Sequence, residues 1–424
     1  MSYYLFFLYC LFFCSLITNL KFFTDSGISK RILLTLFLAR ILAMIIGCYL
    51  NVYFLPVSDS VVFHQMGIQE FNLLFQNPHE YFVNIFQNGY PYGHGRLLED
   101  THSFWNNLRT NLLAKMLSIF DLFSLKSFLI NTLFYNFFIF FGSVALYKVF
   151  IKLFPNCFYQ VIICIFLFPS ALFFSSMIHR DGLILLSFSM IIYHLFFILK
   201  EDQFSWKRIV FISLFLLMIF LLRNFVFLTL IPAVAAWVVA NKFPKKAFIS
   251  FVAVYVVTAI LFFSSTFITP SFNLPQYVSS KQESFLQLAK AGNSTIPINT
   301  LQPTFKSFLI NAPQALNHVL MRPYFSEIKN FQYLPFAIEI FLMEILFLLF
   351  LFFRKSSIKA DPIIYFCIFF SLTMLLITGY TVPIIGAMVR YRSIYLILLA
   401  LPLTCFIDWN RIAKISISKN PVRK

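Results

Sequence analysis

Long apolar runs alternate with short polar connectors along almost the whole chain. The runs cover residues 3–20, 32–55, 125–150, 158–178, 182–199, 209–222, 225–240, 247–267, 333–353, 362–379 and 394–407. About 20 apolar residues in a helix cross a bilayer core. Lipid offers the backbone no hydrogen-bond partners, so a spanning segment is a helix or part of a closed barrel. These runs are continuously apolar rather than alternating, which excludes the barrel. The pattern predicts an all-α, polytopic helical membrane protein with about eleven transmembrane helices in one domain, residues 1–424. Arg223-Asn224 splits an apolar stretch too long for one helix, so two helices with a tight turn are expected there.

Two polar intervals interrupt the pattern, residues 56–124 and 268–332. In the first, Leu108, Leu112, Met116, Ile119, Phe120 and Phe123 recur at helical spacing, with Asn111, Lys115, Ser118 and Asp121 opposite. In the second, Phe305, Phe308, Leu309, Ala312, Leu316, Val319 and Leu320 form a similar stripe, which Pro313 is expected to interrupt. Each stripe predicts an amphipathic helix lying in the membrane interface.

Composition agrees: 60% of residues are hydrophobic and 12% charged, which excludes a water-soluble globule. The net charge of +17 does not imply nucleic acid, because the basic residues recur in small groups between apolar runs. Nineteen of the thirty-three fall in short connectors on one side of the alternation or after Trp409. The positive-inside rule makes that side cytoplasmic. The N-terminus is then outside, the C-terminus cytoplasmic, and both long intervals are extracytoplasmic. The first run has no basic residues before it and no small-residue cleavage pattern after it, so a retained helix is expected. All seven cysteines lie in or beside apolar runs, which argues against a disulfide framework or a zinc site.

The candidate chemistry concentrates between Asp59 and Arg109, which hold four of seven histidines and five of sixteen acidic residues. The basic residues that break the inside rule are also informative. His179 and Arg180 precede Asp181-Gly182 at one outer turn, Arg223 sits at the next, and Arg322 closes the second stripe. Arg390 and Arg392 flank Tyr391 at the last outer turn. A guanidinium keeps its charge in a poorly hydrated site, and its fork fits phosphate oxygens. Together with Arg96 and His179 these arginines are candidate ligands for a lipid phosphate, and anchoring to lipid headgroups is the plainer alternative. Sugar transfer from such a phosphate needs a carboxylate base for the acceptor hydroxyl and cations for the departing phosphate. Asp59, just beyond the second run, is the candidate base, and Glu99, Asp100 and His102 form a second acid–base cluster. Glu339 and Glu344 lie inside an apolar run, where pairing of Glu339 with an outer arginine is expected. Arg40, also inside a run, is expected to snorkel or to pair within the bundle.

Asp59 in the first outer loop, followed by an interfacial helix, resembles the layout of the GT-C membrane glycosyltransferases. The segment Phe168-Pro169-Ser170-Ala171-Leu172-Phe173-Phe174-Ser175-Ser176 leads into His179-Arg180-Asp181-Gly182. This, Arg322-Pro323-Tyr324 with Glu327, and Gly386-Ala387-Met388-Val389-Arg390-Tyr391-Arg392 are similar to polytopic proteins of bacterial exopolysaccharide and O-antigen loci. The resemblance implies a multi-pass protein of the bacterial inner membrane. It would move a sugar from a polyprenyl-phosphate-linked donor to a glycan or lipid acceptor at the extracytoplasmic face, with membrane lipids as its other partners and an acidic residue of the first outer loop as base. In the superfamily the acidic loop usually follows the first helix, whereas Asp59 follows the second run. No cofactor is implied, and no metal ligand set is seen, with a divalent cation left open. The alternatives are an O-antigen-polymerase-like glycan assembly enzyme and a transporter or flippase of lipid-linked glycan. The polymerases tend to keep their histidine-rich outer loop late in the chain, while a flippase should line a path with charges at mid-membrane depth.

Overall fold

Apolar runs with no partners outside the chain close their backbone hydrogen bonds internally, and among the described residues the chain forms helices and no named strand. The computed structural model describes residues 2–54, 58–86, 104–267, 272–290, 294–328, 331–355 and 361–418. Up to the middle of the chain the helices are α1 (Ser2–Asn19), α2 (Lys21–Thr24), α3 (Lys30–Tyr53), α4 (Asp59–Gln76), α5 (Pro78–Val83), α6 (Phe104–Ser124), α7 (Phe128–Leu153), α8 (Phe158–Phe166), α9 (Pro169–Ser175) and α10 (Arg180–Lys200). They continue as α11 (Trp206–Leu222), α12 (Asn224–Lys242), α13 (Ala247–Ser264), α14 (Leu274–Ala289), α15 (Phe305–Met321), α16 (Leu334–Phe353), α17 (Pro362–Thr381), α18 (Ile385–Phe406) and α19 (Trp409–Ser418).

Among the described residues eight helices are long and apolar enough to cross a membrane: α3, α7, α10, α12, α16, α17, α18 and the stretch Pro244–Phe267 that contains α13. The run at residues 158–178, expected as one helix, is instead α8 and α9 meeting at 44°, a ninth crossing if the two form one span. Pro169 supplies the reason: it has no N–H to continue α8 and sits as the first residue of α9. The remaining difference from eleven lies in α1, whose apolar part is Tyr3–Asn19, and in α11, which has 17 residues. At 1.5 Å per residue a 17-residue helix is about 25 Å long, short of a core of about 30 Å.

The chain divides into two compact units, Met1–Leu153 with Ile165–Leu228, and Phe154–Cys164 with Thr229–Lys424. In the first unit α7 and α10 pack against each other so closely that a Cβ on Gly142 would lie 2.7 Å from the Leu186 Cα. Arg40 of α3 is buried, and its guanidinium donates to the Ser175 carbonyl at 2.5 Å and to its hydroxyl at 3.0 Å. It pairs within the bundle rather than snorkelling. In the second unit α15 packs on α17, where Gly379 leaves no room for a Cβ against the Ala315 backbone. The Tyr380 hydroxyl donates to the Phe308 carbonyl at 2.6 Å in the same interface. Pro313 lies inside a continuous α15 instead of interrupting it.

The interval 56–124 is not a loop with one helix: its described residues form α4, α5 and α6. Only Ser60, His64 and Gly67 of α4 are buried, at i, i+4 and i+7. A buried face made of serine, histidine and glycine gives no hydrophobic periodicity to read. α6 forms where the amphipathic stripe is expected, but its polar face is not turned to water and the stripe is divided, with Leu108 and Phe120 buried. Lys115, Ser118 and Asp121 point inward, while Ile119, Leu122 and Phe123 are exposed. In a membrane protein the exposed face can be the apolar one, and polar side chains bury where they find partners.

Candidate functional site

The arginine- and carboxylate-bearing turns of the first unit meet where the N-termini of α4, α6 and α10 approach the end of α11. Ser58 takes the N-cap position of α4 in extended backbone, and Asp59 follows in the first turn, where a carboxylate complements the helix dipole. Asp59 is exposed. Its neighbour Ser60 is fully buried, and its hydroxyl lies 3.2 Å from His179 Nε2. His179 is the N-cap residue of α10, and its carbonyl accepts from the Tyr135 hydroxyl. Gly182, one turn on, packs against that same tyrosine with no space for a side chain.

Arg180 reaches α6 and donates to Thr110 Oγ1 at 2.8 Å, with its guanidinium 5.2 Å from the centre of the Phe63 ring. Asp181 is buried and forms an ion pair with Arg223 at 2.8 Å. Arg223 is the C-cap of α11 in the one-residue break before α12, the tight turn expected from the sequence. Three of the candidate residues, His179, Arg180 and Arg223, therefore share one end of this unit, where Asp59 is tethered through Ser60. Sequence reasoning missed Ser60, Thr110 and Tyr135, and took Asp181 only as part of a motif. A serine beside an aspartate carries no signal until the fold brings a histidine 119 positions away against it.

Two further polar networks stand behind this end. The Asn131 amide donates to Asp121 Oδ1 at 2.7 Å and to His64 Nδ1 at 3.3 Å. Nδ1 of His64 thus accepts, as a neutral imidazole does, and burial pushes the His64 pKa down to about 4. Burial raises the Asp121 pKa, against the opposing hydrogen bonds from Asn131 and Ser124. Between α4, α5 and α6, Lys115 pairs with Glu70 at 2.5 Å, donates to the Tyr81 carbonyl and sits 3.5 Å from the Tyr81 ring centre. Asn84 donates to the same carboxylate at 3.1 Å.

The neutral state of His64 has a pH consequence. The folded pKa lies below the free value of 6.5, so below pH 6.5 the unfolded chain binds a proton that the fold refuses until about pH 4. The His64 contribution to stability is intact above pH 6.5 and is lost as pH falls toward 4. Asp121, with its raised pKa, acts in the opposite sense. Replacing His64 with Gln should therefore shrink the drop in apparent Tm between pH 7 and pH 4.5, measured by thermal unfolding in nanodiscs. An unchanged drop would mean His64 does not resist protonation.

In the second unit the expectation for Arg390 and Arg392 is corrected. They are not at a turn: α18 begins at Ile385, nine residues before the run that sequence marks at 394, and both lie inside it. The helix extends this far because Arg392 is fully buried and donates to the carbonyls of Val319, at 3.0 Å, and Arg322. Glu339, also buried, acts electrostatically on Arg392. That guanidinium ties α18 to the end of α15. Arg322 pairs with Glu327 at 3.1 Å, across a segment whose Arg322-Pro323 bond is cis. Arg390 donates to the Tyr391 hydroxyl at 3.3 Å. Arg96, Glu99, Asp100 and His102 lie outside the described residues. Among the described residues no group of three or more His, Cys, Asp or Glu is placed to hold a metal ion. No protein-family model, curated protein or solved structure matches this chain.

Proposed function

We propose that this multi-pass membrane protein is a glycosyltransferase that moves a sugar from a polyprenyl-phosphate-linked donor to a cell-surface glycan or lipid acceptor. Its site faces the extracytoplasmic side of a bacterial inner membrane, with the N-terminus outside and the C-terminus cytoplasmic. One observation carries the reading: an exposed carboxylate, Asp59, is held through Ser60 and His179 at the end of the unit that also bears Arg180 and Arg223. In the reaction Asp59 takes the proton of the acceptor hydroxyl, and the oxygen attacks the anomeric carbon. The bond from that carbon to the phosphate oxygen breaks with inversion, and the lipid phosphate leaves with the electron pair. Arginine side chains stabilise the charge that develops on it. A path for translocation is less favoured, because the guanidinium of Arg40, deep in α3, is committed to Ser175.

Reconstitution tests both the class and the side. In vesicles of defined orientation, purified protein should transfer labelled sugar from a polyprenyl-phosphate donor only when donor and acceptor are on the face carrying residues 56–124. Movement of intact lipid-linked glycan without transfer would favour the flippase, and transfer confined to the other face would reverse the topology.

A further inference from the structure

A cleft of about 880 Å³ opens in the second unit between α14 and the extended segment that follows it. None of its residues belongs to the site above. Gln276, Ser280, Glu283, Gln287 and Lys290 line one wall, at steps of four, three, four and three that put them on one helix face. Thr295, Thr300 and Gln302 line the other. In a chain of net charge +17, the described residues of this lining include a single acid and a single base, Glu283 and Lys290, which cancel. Among the described residues it contains no arginine and no aromatic residue.

The walls are braced independently of any ligand. The buried Gln282 amide donates to the carbonyls of Asn299, at 3.0 Å, and Tyr380, at 2.7 Å, and its oxygen accepts from the Leu301 amide at 2.8 Å. Ile296 donates to the Pro383 carbonyl at 2.7 Å, and Ile385 to the Ser294 carbonyl at 3.0 Å. Beneath, Val278, Leu301, Phe308, Ala315 and Tyr380 form an apolar cluster. The extended segment is thus fixed against α14 and α17 by backbone and Gln282. The side chains of Gln287, Thr300 and Gln302 make no hydrogen bond among the described residues, so their donors and acceptors remain available to the cleft.

We infer that this cleft binds a neutral, hydroxyl-rich oligosaccharide. Side-chain amides and hydroxyls each donate and accept, as sugar hydroxyls do, and a formally neutral lining offers an anion no net attraction. Leu286, Pro303 and Pro383 supply apolar surface for the C–H faces of sugar rings. The volume lies in the range of about 300–1,000 Å³ usual for ligand clefts. A glycan ligand accords with the proposed transferase reading but does not depend on it, and binding is measured without turnover.

The test uses the full chain in nanodiscs, titrated with neutral tetrasaccharides of hexose and N-acetylhexosamine and with uronate oligosaccharides of equal length, read by saturation-transfer NMR. Neutral glycans should bind saturably and more tightly than the uronates. Gln287→Leu with Thr300→Val should weaken that binding about tenfold through loss of two hydrogen-bonding groups. Gln287→Leu with Thr300→Ser, which keeps the hydroxyl, should regain part of it, and unchanged thermal unfolding will show that the variants fold. No binding by any neutral glycan, tighter binding of uronates, or full binding by the Gln287→Leu/Thr300→Val protein overturns the inference. Binding through the cleft by a protein that transfers no sugar would overturn the transferase reading and keep the glycan site.

Discussion

Replacing Asp59 with Asn should lower sugar transfer by about 10²–10⁴-fold, the range for losing a general acid or base. The effect should fall on kcat, with donor binding kept, because phosphate recognition is assigned to arginines and not to this carboxylate. Asp59 is exposed in the first turn of α4. The interaction of that charge with the helix dipole contributes about 0.3–1 kcal/mol, so Asp59→Asn should still fold. Ser60 and His179, which position the turn, are untouched. Activity measured with the reconstituted variant decides the assignment. Retained turnover in Asp59→Asn, with loss in Glu99→Gln or Asp100→Asn, moves the base to the second cluster. Retained turnover in all three removes the chemistry from this stretch.

The largest effect on stability should come from Lys115→Met. The Lys115 and Glu70 side chains are 11% and 16% exposed, so the substitution strands a carboxylate between α4 and α6 with Asn84 as its remaining neutral donor. Breaking a buried pair from one side costs about 3–5 kcal/mol, whereas replacing both partners with apolar residues of similar volume is often neutral. Lys115→Met combined with Glu70→Leu should therefore recover most of the stability lost in Lys115→Met alone. Thermal unfolding of the three proteins in the same detergent tests this. A loss below about 1 kcal/mol for the single variant would place the pair among solvated surface pairs.

How much of this was legible follows from what each feature depends on. The long apolar helices were readable one by one, because a continuous apolar stretch in lipid has no alternative to a helix. The break at Arg223 was readable for the same reason: a charge and an amide inside an overlong apolar stretch mark its end. The three-helix build of the first polar interval was not readable. The buried face of α4 is Ser60, His64 and Gly67, and what makes it a packing face is Leu117 of α6, whose Cβ would lie 2.7 Å from a Cβ placed on Gly67.

The candidate site divides along the same line. The sequence by itself determined the membrane class of the protein, the apolar segments and which arginines stand apart from the clustered basic connectors, since these follow from side-chain chemistry counted along one dimension. Tertiary structure decided which acceptors within the chain those arginines meet. It gave Arg223 to Asp181 and Arg180 to Thr110, and it buried Arg392 against the carbonyls of Val319 and Arg322. The reason is that a guanidinium's role is set by the acceptors within about 3 Å of it, and those acceptors lie 42 to 73 positions away along the chain.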